Sequence, residues 1–176
     1  MRTQPSSAKK SSTASPRGAA SEDAIALLMS DHREVEAMFK DYDKLVEKKA
    51  SGEEKQQLAG RICLMLTLHA TVEEEIFYPA ARQAMDEEDL LDEAVVEHAS
   101  AKDLIAQIES SGPQEDLYDA KVKVLSEYIK HHVKEEETEM FPKLRKSKAM
   151  DLAELGERMK ARKAELAPEL AEGDLH

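Results

Sequence analysis

The chain has 176 residues, enough for one packed domain with some tail and too few to suggest two. Charged residues make up 35% and aromatics 4%, with no Trp, which fits an all-α protein better than a sheet-rich one. The net charge of −12 argues against nucleic acid or an anionic membrane surface as the main partner and favours a cationic ligand.

No apolar run approaches the ~18 residues of a spanning helix, and no hydrophobic segment of the secretory type opens the chain, so a cytoplasmic protein is expected. Cys63 is the single cysteine and cannot form an intramolecular disulfide; beside Ile62, among apolar residues, it reads as a buried structural thiol.

Residues 1–20 are Ser, Ala, Lys and Pro with almost no large apolar side chain, the composition of a disordered basic tail. From Ser21 the pattern becomes helical. Ile25, Leu28, His32, Val35, Phe39, Tyr42 and Val46 step by three or four along one stripe, with His32 inside it. A second helix opens at Ser51, where Glu54 completes a capping box, and its stripe runs Leu58, Ile62, Met65, His69, Val72/Glu73, Ile76.

The third helix carries Leu91, Ala94, Val95, His98, Ala101, Ile105 and Ile108 before Ser110-Ser-Gly-Pro113 breaks it, with Pro113 expected near the start of the next. The fourth runs Leu117, Lys121, Val122, Leu125, Tyr128, Ile129, His132, Glu136, Met140. After a basic stretch, Lys143 to Lys148, the residues Leu152, Leu155, Met159 and Leu166 mark a fifth amphipathic segment, packed on the outside or against another subunit. Short connections between long helices predict an up-down-up-down four-helix bundle over residues 21–147, with a C-terminal helical extension over 148–176.

The chain also repeats itself. His32 … His69-x-x-x-Glu73 is followed by His98 … His132-x-x-x-Glu136, at offsets of 66 and 63 residues. Two helical hairpins related by a pseudo-twofold axis would bring the four histidines together. Residues i and i+4 share one helix face about 6 Å apart, so imidazole and carboxylate can converge on an ion. Two inward glutamates are costly to bury unless they are paired or bind metal.

Four imidazoles and two carboxylates are too many ligands for one closed tetrahedral zinc and too few to saturate two octahedral ions. Two ions bridged by Glu73 and Glu136, with open positions, fit the count. Mixed N and O donors suit iron or manganese, and spacing leaves zinc open. His131 with Glu135 offers the same i, i+4 relation. Pro79 stands ten residues after His69 and Pro142 ten after His132, which selects His132 with Glu136 and leaves His131 on the surface or behind the ligands. Glu74, Glu75, Glu135 and Glu137 read as solvated helix face or as acceptors for ligand N–H groups. Tyr128, one turn before His132, reads as a core residue or as a hydrogen-bond donor to the site.

His32 in SDHREVEAMF, His69 and Glu73 in HATVEEEIFYP, His98 in VVEHASAKDLI, and His132 and Glu136 in HVKEEETEMFP resemble the bacterial hemerythrin-like HHE cation-binding family over roughly residues 21–145. The resemblance implies a four-helix bundle around a non-haem di-iron centre. Oxygen-carrying hemerythrins have an additional histidine one turn from the third-helix ligand, where this chain has Ala94 and Lys102. They also end on an aspartate five residues after the last histidine, where this chain has Glu136 at four. The ligand set is similar to that of di-iron proteins that repair iron–sulfur clusters after nitrosative damage.

The expected function is therefore a di-iron module that binds or senses O2, NO or iron. The alternatives are a di-iron enzyme acting on peroxide in oxidative or nitrosative stress defence, and a metal-stabilised regulatory protein. In the last, the C-terminal segment meets a protein partner or a second copy.

Overall fold

A computed structural model describes residues 22–173, so the tail assigned to residues 1–20 and the terminal His176 lie outside the described residues. All the regular secondary structure among the described residues is helical, with no strand among them. α1 spans Ala24–Glu47. α2, Gly52–Val72, runs through a π-helical segment, Glu73–Phe77, into α3, Tyr78–Ala84. α4 spans Glu88–Glu109. α5, Tyr118–Glu135, continues through a second π segment, Glu136–Met140, into α6, Phe141–Lys146. α7 covers Leu152–Gly173.

Local chemistry sets the helix starts. Asp23 caps α1 by accepting from the Ala26 N–H at 2.8 Å. Ser51 and Glu54 form the expected reciprocal capping box at α2. The fourth helix begins later than the sequence suggested, at Tyr118, and Pro113 stays in the preceding turn. Leu117 accordingly lies outside the core at 64% exposed, and Val46 and Val95 also lean out to solvent.

The two π segments were not expected from helical periodicity, and the prolines account for them. Pro79 and Pro142 lack an N–H, and in an α-helix their rings would press on the carbonyls of Glu75 and Thr138. The chain widens by one residue: the N–H of Tyr78 bonds the Glu73 carbonyl, and that of Phe141 bonds the Glu136 carbonyl. The repeated aromatic–proline pair thus marks a wide turn that begins on each inward glutamate.

α1 packs on α2, α2 on α4, α4 on α5, and α5 back on α1, closing the four-helix bundle. Apolar residues fill it as two clusters. One holds Ile25, Leu28, Val72, Phe77, Leu91, Phe141 and Leu144; the other holds Val35, Phe39, Tyr42, Ile62, Leu66, Ile105, Val122 and Leu125, with Cys63 buried among them. His32, between Leu28 and Val35, stands at the level where the clusters part, so the polar layer is closed off by apolar side chains toward both ends.

α7 packs along α1 and α2. Leu155 and Met159 join the first apolar cluster, so that part of the C-terminal stripe is buried within the chain itself. Gly156 permits the close approach, since a Cβ there would stand 2.7 Å from the Glu22 carbonyl oxygen and 2.9 Å from the Ala24 nitrogen.

Candidate metal centre

α1, α2, α4 and α5 each deliver one histidine to the middle of the bundle, and the first residue of each π segment delivers a glutamate. His32, His69, His98 and His132 are buried, and Glu73 and Glu136 are 0% and 1% exposed. Their ligating atoms fall into two overlapping groups: His32, His69, Glu73 and Glu136, and then Glu73, His98 and His132, each group within 4.8 Å.

Each carboxylate faces both groups. Glu73 places Oε1 3.2 Å from His69 Nε2 and Oε2 3.1 Å from His98 Nε2. Glu136 places Oε2 3.2 Å from His32 Nε2 and Oε1 3.5 Å from His132 Nε2. Each carboxylate thus turns one oxygen toward either group. His32 Nε2, Glu73 Oε1 and Glu136 Oε2 are buried with no hydrogen-bond partner, an expensive state in an apolar bundle unless a cation satisfies them. The donor set therefore fits a metal.

The opposite ring nitrogen of every histidine is anchored. His69 Nδ1 donates to Asp31 at 3.0 Å and His132 Nδ1 to Glu97 at 2.6 Å. His32 Nδ1 donates to Glu137 at 2.9 Å and His98 Nδ1 to Glu74 at 2.8 Å. These bonds leave all four Nε2 atoms aimed inward and raise their basicity, the usual arrangement behind metal-bound imidazole. Glu74 and Glu137 thus take the acceptor reading left open in the sequence, whereas Glu75 pairs with Arg162 of α7 and Glu135 with His131. Asp31 and Glu97 were missed, although both obey the repeat: each immediately precedes a site histidine.

Tyr128 is neither the core residue nor the hydrogen-bond donor to the site that the sequence suggested. It is 47% exposed, because its position on α5 turns outward ahead of His132. The phenol that enters the site is Tyr78, on the first residue after the π segment, where the wide turn rotates it inward. Its hydroxyl donates to Glu136 Oε1 at 2.7 Å and lies 3.3 Å from Glu73 Oε2 and from His98 Nε2. The matching position in the repeat is Phe141, which stacks on His32 with ring centroids 6.0 Å apart. The FYP against MFP contrast was the available signal for a pseudo-symmetric site with one polar side. His131 is 64% exposed and meets the site only through Glu97, at 3.4 Å.

Electrostatics follow from this crowding. Burial opposes a charged His69, but the Glu73 charge and the Asp31 hydrogen bond push the ring up to about 10. Burial likewise opposes a charged His132, and the Glu136 charge and Glu97 bond raise it to about 9. Burial works against an ionised Glu73 too, yet the His69 charge holds its carboxyl well below the usual range. Burial, then the charges of Glu136 and Glu73, drive Tyr78 well above the ordinary phenol, so it remains a proton donor. A proton and a cation would therefore compete for the inward nitrogens of His69 and His132.

A cavity of about 30 Å³ adjoins the site, walled by Val35, Leu66, Ala70, Ala101 and Ile105 and touching His69, His98 and His132. Among the described residues no helix is long and apolar enough to cross a membrane.

Comparison with known proteins agrees with this fold. A solved structure of a hemerythrin HHE cation binding domain-containing protein from Mycobacterium kansasii superposes with a TM-score of 0.68 at 24% identity, covering 84% of this chain and 88% of that one, a likeness of fold. A DNA nickase from Nostoc sp. is 27% identical over 128 residues, 73% of this chain but 35% of that protein, so the chain spans about a third of its length. The pattern described as Hemerythrin HHE cation binding domain matches residues 23–144, the whole stretch from the α1 cap to the end of the bundle. With all four inward histidines and both glutamates inside that match, the chain belongs to the hemerythrin HHE cation-binding domain family.

Proposed function

We propose that this metal-binding hemerythrin-like protein carries two iron ions held by His32, His69, His98 and His132 and bridged by Glu73 and Glu136, and that it binds or senses a small ligand such as O2 or NO. The observation that carries the ligand reading is the cavity of about 30 Å³ beside the inward imidazoles. It has room for a diatomic molecule or one water, and its walls are apolar. A bound iron pair supplies reversible electron transfer to such a ligand.

The chain's own residues set the conditions. The four Nδ1 hydrogen bonds fix the imidazole tautomers. The two apolar clusters exclude bulk water from both ends of the polar layer. Tyr78 holds a proton at Glu136 Oε1, on the side of the site opposite Phe141. That phenol favours a second reading, an enzyme acting on peroxide, because it places one proton donor next to the ligand atoms.

The nickase likeness gives no reason to propose DNA as the partner, since a net charge of −12 opposes a phosphate backbone. The test is elemental analysis with optical spectra of the reduced protein before and after O2 and NO. Two irons per chain and a gas-dependent change in iron absorption support the proposal. One tightly held zinc, or no response to either gas, overturns it. For the second reading, peroxide turnover that survives His69→Ala intact removes the site from that chemistry.

A further inference from the structure

Four carboxylates stand behind the four site histidines, and three of them also meet a lysine or arginine. Lys163 binds Asp31, Lys102 binds Glu74 and Arg33 binds Glu137. The fourth, Glu97, has no lysine or arginine within ion-pair distance among the described residues; its partners are His132 and His131. The pseudo-twofold repeat therefore leaves one position where a cation is called for and no such side chain supplies it.

What surrounds that position is a set of metal ligands. His131 Nε2 lies 3.4 Å from Glu97 Oε1 and 3.1 Å from Glu135 Oε1, and one ligating atom of each residue falls within 4.8 Å of the others. Glu97 comes from α4, while His131 and Glu135 come from α5 at i and i+4, so two packed helices fix the three donors. Asp92 and Glu93 of α4 line the same surface depression, of about 400 Å³. Asp92 is engaged by Arg82. His131 is 64% exposed, which leaves room for water to complete a coordination sphere and for the ion to exchange.

We propose that Glu97, His131 and Glu135 form a second, surface-accessible and exchangeable site for a divalent cation of the zinc or ferrous-iron type. One imidazole nitrogen with two carboxylate oxygens is a donor set for such ions rather than for calcium or magnesium. Glu97 links this site to the buried one, because Oε1 faces His131 while Oε2 accepts from His132 Nδ1 at 2.6 Å. A cation outside draws charge from that carboxylate and weakens its hold on the His132 N–H. The site stands as proposed whichever metal fills the buried centre.

The test is equilibrium dialysis of the metal-replete protein against Zn²⁺, followed by elemental analysis of zinc and of the resident metal. The parent takes up one zinc beyond its buried complement. His131→Ala and Glu135→Gln each bind that zinc at least about tenfold more weakly, the loss that follows removal of a metal's supporting group. Both keep the parental content of resident metal. Three results overturn the proposal: no additional zinc in the parent, zinc gained only as resident metal is lost, or an additional zinc bound with parental affinity by either variant.

Discussion

Replacing Tyr78 by Phe isolates a single polar atom in the site. The ring already has a counterpart of the same shape in Phe141, so Tyr78→Phe leaves packing unchanged and removes only the hydroxyl. That hydroxyl is the donor to Glu136 Oε1 at 2.7 Å, in a residue 3% exposed, and the other oxygen of the same carboxylate has no hydrogen bond. A hydrogen bond to a charged, buried acceptor contributes about 1.5–3 kcal/mol. For a chain of this length that corresponds to a fall in Tm of roughly 4–10 °C in metal-free protein. With metal bound, the cations satisfy Glu136, and the fall shrinks to a small fraction of this. Thermal unfolding followed by circular dichroism, with and without metal, reads both numbers. A metal-free Tyr78→Phe variant as stable as the parent, or one losing the same stability in both forms, would refute the reasoning.

Metal uptake depends on pH because His69 and His132, raised to about 10 and about 9, must lose protons to become ligands. Apparent affinity rises with pH up to those values, by about a factor of ten per pH unit for each proton displaced; a proton count by calorimetry in two buffers checks it, and uptake without proton release contradicts it. The metal-free bundle shows the opposite trend. Both rings are raised above the ordinary histidine value of 6.5, so their contribution to stability is complete below pH 6.5 and is lost as pH climbs through about 9 and about 10. A metal-free Tm that stays level across that window rules the pairing out.

Lys163→Met frees Asp31 to draw harder on the His69 proton, making the imidazole a stronger donor and shifting the potential of the bound metal downward, on the order of 60 mV for a tenfold effect. Lys163→Arg restores it, and an unmoved potential in Lys163→Met dismisses the relay. Ala101→Val adds two methyl groups to the wall of the cavity of about 30 Å³. Overpacking of about 1–3 kcal/mol weakens gas binding by roughly five- to 150-fold with metal content intact, and an unaltered gas response places the ligand elsewhere.

Much of the site was legible because its residues obey two periods at once. Inward direction is a helical property, so His32, His69, His98 and His132 could be assigned to stripes from spacing alone. The internal repeat then singled out Glu73 and Glu136 from a run of glutamates. The bundle followed from four such stripes and short connections. Asp31 and Glu97 were equally present in the repeat, but an acidic residue beside a histidine has no periodic signature that separates an anchoring carboxylate from a solvated one.

What tertiary structure alone decided is the aim of side chains beyond the α-helical period and the pairing of distant charges. Within regular α5 the buried side runs through Val122, Leu125 and His132 and leaves Tyr128 facing solvent, while the π segment after Val72 breaks the 3.6-residue phase of α2 and turns Tyr78 into the site. The seat of α7 was also beyond sequence, since its amphipathic stripe specifies an apolar face and not what covers it. Its packing on α1 and α2 is what brings Lys163 to Asp31, 132 residues away, and connects the end of the chain to His69. Local pattern determines which way a residue faces on its own helix; only the assembled bundle determines what it meets there, because that depends on the position of every other helix.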